Sequence, residues 1–175
     1  MSGFLLDTNV ISELRKPQPD PAVTRLISAL AEGDLFISEV TFAEIRFGIE
    51  QLDEPEKRAA IATWLDRTLR PLFEGRTLAI NEDVILRWRL MLEAGRRRGH
   101  NFGQLDLFIA AIAAHNDLII ITRDVAHFVA ASVRVLNPWK AEFVDRAGHT
   151  HAIDRLDEPT LLGRLLGFER TAAKT

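Results

Sequence analysis

The sequence predicts an α/β sandwich whose central sheet is mostly parallel. Short apolar runs recur along the chain at strand length, and segments with helical spacing of apolar residues lie between them. Such alternation is typical of strand–helix–strand units, in which helices cover both faces of a parallel sheet and so make three layers. With 175 residues, 47% of them hydrophobic, the chain is long enough to bury the core of one such domain.

Five apolar runs are the predicted strands of this sheet. Each has three or four residues and is continuously apolar, as strands buried on both faces of a parallel sheet usually are. We therefore expect a five-stranded sheet, built from residues 4–6, 35–37, 77–80, 118–121 and 133–136.

The segments between these runs are the predicted helices. In the first of them Val23, Leu26 and Leu30 fall on one stripe, and Gly33 is a residue type at which helices commonly end. Pro55 suits the first turn of a later helix, where its missing N–H costs no hydrogen bond. The predicted helices span residues 21–33, 39–52, 55–73, 82–99 and 105–116.

The composition changes after Pro138, where the chain becomes more charged and less regular. We therefore predict one domain over residues 1–138 and an appendage over residues 139–175. The appendage should contain one helix near residues 159–168, because four leucines form an apolar stripe after Pro159. That stripe is expected to pack on the domain or to lie at an interface with a partner.

Composition excludes several classes of protein. The chain has no cysteine, which removes disulfides, thiolate metal sites and thiol nucleophiles. No apolar stretch reaches the length that a bilayer requires, and the N-terminus lacks the pattern of a secretory signal, so we expect a cytoplasmic protein without a membrane partner. The net charge of −3 gives no global basic field, so a nucleic-acid partner would need a local basic patch or bound cations.

Four acidic residues occupy special places in the predicted fold. Asp7 directly follows the first strand, and Asp124 comes shortly after the fourth. Asp106 opens a predicted helix, and Glu44 lies about a turn and a half into the helix after the second strand. In an open parallel sheet, ligands bind outside the carboxyl ends of the strands, near a reversal in strand order. The topology can therefore bring all four carboxylates to one edge of the sheet.

Each of these acids, taken alone, is typical of a simpler role. Asp7 and Asp124 suit the N-caps of the helices that follow them, and Asp106 suits the dipole at a helix start. Glu44 fits such a role least, because apolar neighbours surround it in "TFAEIRFGI". Taken together, the four acids favour a shared site.

A cluster of four carboxylates indicates a divalent metal ion. Like charges close together raise one another's pKa and oppose ionisation, so a protein that keeps such a cluster neutralises it with cations. A set of oxygen ligands favours Mg²⁺, with Mn²⁺ as the alternative, over Zn²⁺. An ion of that kind recruits a phosphate and lowers the pKa of a bound water, which indicates phosphodiester hydrolysis.

Three stretches of the chain resemble the PIN-domain ribonucleases of the VapC and FitB type, which are toxins of bacterial toxin–antitoxin pairs. "LLDTNVISEL" resembles the family's first strand and first acid, "ISEVTFAEIRFGI" its second-acid helix, and "LDLFIAAIAAHNDLIIITRDVAHF" its C-terminal signature. The similar stretches run from about residue 4 to residue 138, in the family's order and spacing. The resemblance implies a Mg²⁺- or Mn²⁺-dependent endoribonuclease with a PIN-like sandwich around a five-stranded parallel sheet.

The same resemblance implies the roles of individual residues and the partners. It assigns Asp7, Glu44, Asp106 and Asp124 to an acidic catalytic site. Asp7 and Asp106 would bind the metal, and the other two acids would bind it directly or through water. The implied site-lining residues are Thr8, Asn9 and Thr122. The implied partners are an RNA substrate, a second copy of the chain in a homodimer, and a cognate antitoxin that occludes the site and alone mediates contact with DNA.

The segment "GRRRGH" ends one predicted helix and precedes the helix that Asp106 opens. Its cations suit a helix C-terminus, where they complement the dipole and stay solvated. They are also candidates for RNA phosphate contact, because phosphate-binding patches are local in a protein without a basic surplus. The candidate contacts are Arg96, Arg97 and Arg98.

Two other functions are left open by the sequence. A PIN fold can serve as a catalytically weak nucleic-acid-binding or regulatory module, whose signature would be loss of acids, and all four acids are present here. A phosphatase of the haloacid-dehalogenase type also places an Asp after its first strand. That chemistry needs a second Asp two positions later, where this chain has Asn9.

Overall fold

Seven short strands form one sheet in the computed structural model of the chain, which describes residues 3–172 and their side chains through residue 168. The strands are β1 (Phe4–Leu6), β2 (Leu35–Ser38), β3 (Thr77–Leu78), β4 (Ile119–Ile121), β5 (Val135–Asn137), β6 (Glu142–Val144) and β7 (Thr150–Ala152). Their spatial order is β3-β2-β1-β4-β5-β6-β7.

Nine α-helices surround this sheet within the described residues. They are α1 (Thr8–Leu14), α2 (Pro21–Ala29), α3 (Glu39–Glu50), α4 (Pro55–Trp64), α5 (Arg70–Leu72), α6 (Glu82–Arg97), α7 (Gln104–His115), α8 (Val125–Ala130) and α9 (Leu161–Ala172). A π-helical turn over Leu65–Leu69 joins α4 to α5, and a 3₁₀ turn over Glu32–Asp34 precedes β2. The helices predicted from periodicity are present. The short helices α1 and α8 have too few residues to show a clear period.

The sheet is parallel from β3 to β5. The central strand β1 lies between β2 and β4, and pairs Leu5 with Phe36 on one side and with Ile120 on the other. The chain leaves β1 towards β2 and later returns to the opposite side of β1 at β4, so strand order reverses there. This reversal opens a crevice beyond the carboxyl ends of these three strands.

Local sequence explains where the helices around this crevice begin. Ser38 ends β2 and caps α3, with its Oγ accepting a hydrogen bond from the Thr41 N–H at 3.0 Å. Asn81 caps α6 in the same way, accepting from the Val84 N–H at 2.9 Å. Side-chain caps satisfy N–H groups that have no partner inside the helix. The caps therefore fix the direction in which each helix leaves the sheet.

The core consists of two apolar layers, one on each face of the sheet. Because strand side chains alternate, Phe4 and Leu6 of β1 enter one layer while Leu5 enters the other. Helices α1, α2 and α9 contribute to the first layer, and α6, α7 and α8 to the second. The predicted three-layer α/β sandwich with a mostly parallel sheet is confirmed.

The predicted number of strands is wrong, since the sheet has seven strands rather than five. The two extra strands, β6 and β7, form an antiparallel hairpin that continues the sheet beyond β5. Each has three residues, and β7 contains polar side chains, so no apolar run marks them. Gly148, with φ of +88°, supplies the left-handed turn conformation between them.

Helix α9 covers the edge of the first core layer. Leu161 and Leu165 are completely buried there, against a cluster that includes Phe143 of β6. The appendage helix is therefore present and packs on the sheet. The division of the chain at residue 138 stays a prediction, since β6 and β7 continue the same sheet.

Replacing Leu165 by Ala should lower the free energy of unfolding by about 2–5 kcal/mol, because the change leaves a cavity in a dry core. Leu162→Ala on the same helix is the matched control, and its cost should be about 1 kcal/mol because Leu162 is only partly buried. Urea unfolding followed by circular dichroism measures both. Equal, small losses would show that α9 contributes no core packing.

None of the helices within residues 3–172 combines the length and the apolar character needed to cross a bilayer.

Candidate active site

Asp7 occupies the junction between β1 and α1. Its backbone is extended, with φ of −76° and ψ of 158°, and its Oδ1 accepts a hydrogen bond from the Thr8 N–H at 2.9 Å. Asp7 is thus the N-cap of α1, and only 6% of its surface is exposed. The capping role and a role in a site are therefore compatible in one carboxylate.

The Asp7 carboxylate accepts hydrogen bonds from three neighbouring residues, Thr8, Asn9 and Thr122. Thr122, which is completely buried at the end of β4, donates to Asp7 Oδ2 at 2.6 Å. Asn9 Nδ2 also donates to Asp7 Oδ2, at 2.7 Å, and lies 3.3 Å from Asp124 Oδ2. Asn9 therefore connects Asp7 to Asp124, and Thr8 connects Asp7 to Glu44.

Glu44 lies on the inner side of α3 and is half-buried. The Thr8 hydroxyl donates a short hydrogen bond to its Oε2. Burial raises the pKa of Glu44, the hydrogen bond from Thr8 opposes that rise, and the negative charge of Asp106 adds to it. Glu44 and Asp106 are consequently close enough to repel each other.

Asp106 and Asp124 complete the group of four acids. Asp106 lies in the first turn of α7, with His127 Nδ1 3.9 Å from its Oδ2. Asp124 precedes α8 and is exposed, and its side chain makes no capping hydrogen bond. All four acids line one cleft of about 380 Å³, together with Thr8 and Asn9. The structure thus brings the predicted acids together at the predicted edge of the sheet.

The electrostatics of this cleft centre on Asp7. Burial raises the pKa of its carboxyl group to about 6, against the hydrogen bonds from Thr122 and from the Thr8 N–H, which lower it. The negative charges of Glu44 and Asp106 raise the pKa further. A buried carboxylate with two acidic neighbours is a site at which a cation would relieve repulsion.

The carboxylate oxygens of this cleft are the kind of ligand that a divalent ion such as Mg²⁺ prefers. Among the side chains of residues 3–168, no group of three or more His, Asp or Glu is arranged so that it could hold one metal ion. Mg²⁺ is usually held by only one or two carboxylates together with several waters, so an open cleft with hard oxygen donors fits it. The mutual repulsion of Asp7, Glu44 and Asp106 also favours a cation at this place.

The three arginines predicted as RNA contacts lie outside this cleft. Arg97 and Arg98 line a separate groove of about 560 Å³ together with Arg87, between α6 and the end of α8. Arg98 donates to the Ala130 carbonyl at 3.1 Å, and Arg96 pairs with Glu93 at 3.3 Å. Their contact with RNA stays a prediction.

Sequence reasoning missed three charged residues that do line the acidic cleft, namely Glu13, Lys16 and Arg123. Arg123 stands between two predicted site residues, which was a usable signal. Glu13 and Lys16 are three positions apart on and just after α1, a spacing that places side chains on one face.

The family of the chain follows from its sequence match. A family model described as PIN domain matches residues 4–132, which include all four acids. The chain belongs to the PIN-domain family. Toxin FitB of Neisseria gonorrhoeae is 37% identical to it over 136 residues, and the match covers 78% of this chain and 98% of that protein. VapC ribonuclease Y4jK of Sinorhizobium fredii is 35% identical over 137 residues, with coverage of 78% and 98%.

Three solved structures superpose on about three quarters of the chain. FitAcB from Neisseria gonorrhoeae matches with a TM-score of 0.74 at 37% identity, over 78% of this chain and 98% of that one. FitAB bound to an IR36 DNA fragment gives 0.73 at 35% identity, with coverage of 78% and 95%. VapBC-5 of Mycobacterium tuberculosis, a member of the VapBC family of toxin–antitoxin systems, gives 0.52 at 28% identity, with coverage of 74% and 89%.

This PIN domain carries structure beyond its family match. The match ends at residue 132, so β5, β6, β7 and α9 lie outside it. FitB and Y4jK are covered almost completely while more than a fifth of this chain remains unmatched.

Proposed function

We propose that this PIN domain is a Mg²⁺-dependent ribonuclease, with Mn²⁺ as an alternative ion, and that it acts as the toxin of a toxin–antitoxin pair. The observation that carries the proposal is the meeting of Asp7, Glu44 and Asp106 in one cleft, where burial and the charges of the other two acids raise the pKa of Asp7. The names of the relatives support it, since Y4jK is named a VapC ribonuclease and FitB a toxin.

The residues of the cleft divide into ligands and supports. Asp7 and Asp106 would hold the ion, and Glu44 and Asp124 would bind it directly or through water. Thr122 and Asn9 keep the Asp7 carboxylate oriented, and Thr8 orients Glu44. The bound ion would lower the pKa of a water and neutralise charge on the phosphate.

The proposed reaction is hydrolysis of an RNA phosphodiester bond. Water attacks the phosphorus atom in line with the 3′ oxygen, the bond to that oxygen breaks, and the oxygen leaves as a hydroxyl after taking up a proton. The products are one RNA with a 3′-hydroxyl and one with a 5′-phosphate. The 2′-hydroxyl of the substrate takes no part in this attack.

We expect the purified chain to cleave total RNA with Mg²⁺ or Mn²⁺ and to stop when EDTA is added. End analysis of the fragments should find 5′-phosphates, because water rather than the RNA is the nucleophile. Cyclic 2′,3′-phosphate ends would contradict the hydrolytic mechanism. RNA binding without EDTA-sensitive cleavage would instead favour a binding or regulatory module.

The antitoxin is proposed to dock beside the acidic cleft. An apolar groove of about 490 Å³ shares Thr8 and Glu44 with that cleft and continues past Ile49, Ile61 and Trp64. An apolar segment seated there would reach the acids and occlude them. The complexes FitAcB and VapBC-5 support a partner of this kind.

Expression of the chain alone should arrest growth of a bacterial host, because uncontrolled RNA cleavage depletes its transcripts. Co-expression with the antitoxin should restore growth. Unimpaired growth at a protein level confirmed by immunoblot would contradict the role as a toxin, although not cleavage itself.

The homodimer and the contact with DNA through the antitoxin complex stay predictions. Three apolar side chains of α6, Ile85, Leu86 and Leu90, are about half exposed or more, and a second copy would bury them. The DNA-bound FitAB structure supports DNA contact by a complex of this type.

A further inference from the structure

Two cations at one wall of the acidic cleft share a single buried carboxylate. Lys16 Nζ lies 2.6 Å from Glu13 Oε2, and Arg123 Nη2 lies 3.0 Å from the same oxygen. Glu13 is 95% buried, and its other oxygen accepts from the Asp20 N–H at 3.0 Å. These hydrogen bonds, from Lys16 first and from the Asp20 N–H next, lower the pKa of Glu13, so it stays ionised.

The two cations remain available to a ligand. The side chains of Lys16 and Arg123 are 54% and 51% exposed, and both line the cleft. Two positive charges against one carboxylate leave a local surplus of one positive charge. Because both nitrogens contact the same oxygen, they lie within about 6 Å of each other, close enough to bind one phosphate group together.

Arg123 is also fixed relative to the acids. Its guanidinium lies over the Trp139 ring, 4.3 Å from the ring centroid. Its backbone N–H donates to Asn9 Oδ1 at 3.2 Å, and Asn9 is the residue that contacts both Asp7 and Asp124. The cation pair and the carboxylates therefore belong to one connected framework, in which Trp139 and Glu13 are positioning residues.

We propose that Lys16 and Arg123 form a phosphate-binding subsite, which holds an RNA phosphate adjacent to the one being cleaved. The inference rests on the proposed ribonuclease function and adds to it the means of capturing the strand. Four carboxylates repel a polyanion, and the net charge of −3 offers no general attraction, so the strand needs a local cationic contact. The planar fork of Arg123 suits phosphate oxygens, and Lys16 adds a point charge.

The test measures RNA binding separately from cleavage. A short fluorescein-labelled single-stranded RNA of mixed sequence is titrated with the full chain in EDTA, and anisotropy gives Kd at several NaCl concentrations. Lys16→Gln and Arg123→Gln should each weaken binding about threefold to tenfold. Each should also reduce the slope of log Kd against log salt concentration by about 0.7, the value for one phosphate contact with a single strand.

Matched variants separate a local contact from a general loss of charge. Arg25→Gln removes the same charge from an exposed position on α2 outside the cleft, and its Kd should stay within about twofold of the unmodified chain. Lys16→Arg should retain the affinity because it keeps the cation. Lys16→Gln and Arg123→Gln each leave Glu13 one cationic partner. Circular dichroism should therefore give both variants the thermal unfolding temperature of the unmodified chain.

The outcomes distinguish the subsite from the function on which it rests. Unchanged Kd and salt slope in Lys16→Gln and Arg123→Gln, in a chain that cleaves RNA with Mg²⁺, would overturn the subsite and leave the ribonuclease intact. A loss found only in Arg97→Gln would also overturn it, since the contact would then lie in the groove of Arg97 and Arg98. An unmodified chain that neither binds nor cleaves RNA would overturn both proposals.

Discussion

Asp106→Asn should lower the rate of RNA cleavage roughly 100- to 1,000-fold without unfolding the protein. The change removes one negative charge at constant size from the first turn of α7. In the part of the chain that the structure describes, the Asp106 carboxylate accepts no hydrogen bond, and His127 Nδ1 lies 3.9 Å from its Oδ2. The loss should therefore reflect weaker metal binding rather than lost packing. Initial rates at saturating Mg²⁺ and at low Mg²⁺ measure it.

Two further Asp-to-Asn variants serve as controls for this result. Asp66→Asn changes an exposed acid outside the cleft and should leave the rate unchanged. Asp124→Asn should cost only about tenfold, because Asp124 reaches Asp7 through Asn9 and an amide oxygen can keep that contact. Cleavage by Asp106→Asn at the rate of the unmodified chain would remove Asp106 from the site.

Asp7→Asn should stabilise the metal-free protein while abolishing cleavage. Ionised Asp7 is unfavourable in the folded chain, because its pKa rises from 3.8 to about 6 on folding. That difference corresponds to about 3 kcal/mol at neutral pH. The amide can still cap α1, but it cannot accept all the hydrogen bonds from Thr122 and Asn9, so we expect a net gain of about 1–2 kcal/mol.

The pH dependence identifies the origin of this gain. Between pH 3.8 and about 6 the folded state binds more protons at Asp7 than the unfolded state does, so the contribution of Asp7 to stability falls as pH rises through that range. The advantage of Asp7→Asn in urea unfolding with EDTA should be small near pH 4 and reach its full size above pH 6. A constant advantage at all pH values would show that ionisation is not its cause. Asp66→Asn, which changes an exposed acid outside the cleft, is the control.

This opposition between stability and function is expected of an acidic metal site. The folded chain holds Asp7 at a place where its charge is unfavourable, and the proposed cation would offset that cost. A purely structural N-cap would not need Glu44 and Asp106 beside it. Asp7 thus has two roles, because it caps α1 by accepting from the Thr8 N–H and also belongs to the acidic cluster.

Much of this architecture follows from local sequence. Apolar runs of three or four residues mark the five parallel strands, because a parallel sheet buries both faces of each strand. The acids after β1 and β4 then fall at the same edge, since the carboxyl ends of parallel strands meet there. The order of the strands explains why Asp7, Glu44, Asp106 and Asp124 line one cleft.

Features that depend on distant contacts were beyond prediction. The β6–β7 hairpin contains polar side chains and joins the sheet by pairing with β5, and no local sequence pattern predicts that pairing. The roles of Glu13 and Arg123 depend on a contact between residues 110 positions apart. Burial sets the pKa of Asp7, and burial is known only once the layers are assembled.

The most direct test of the central claim is a calorimetric titration of Mn²⁺ into the unmodified chain, Asp7→Asn and Asp106→Asn. We expect the unmodified chain to bind Mn²⁺ and each variant to bind it at least about tenfold more weakly, because each loses one of the two proposed principal ligands. Equal Mn²⁺ affinity in all three proteins would show that these carboxylates do not form the metal site.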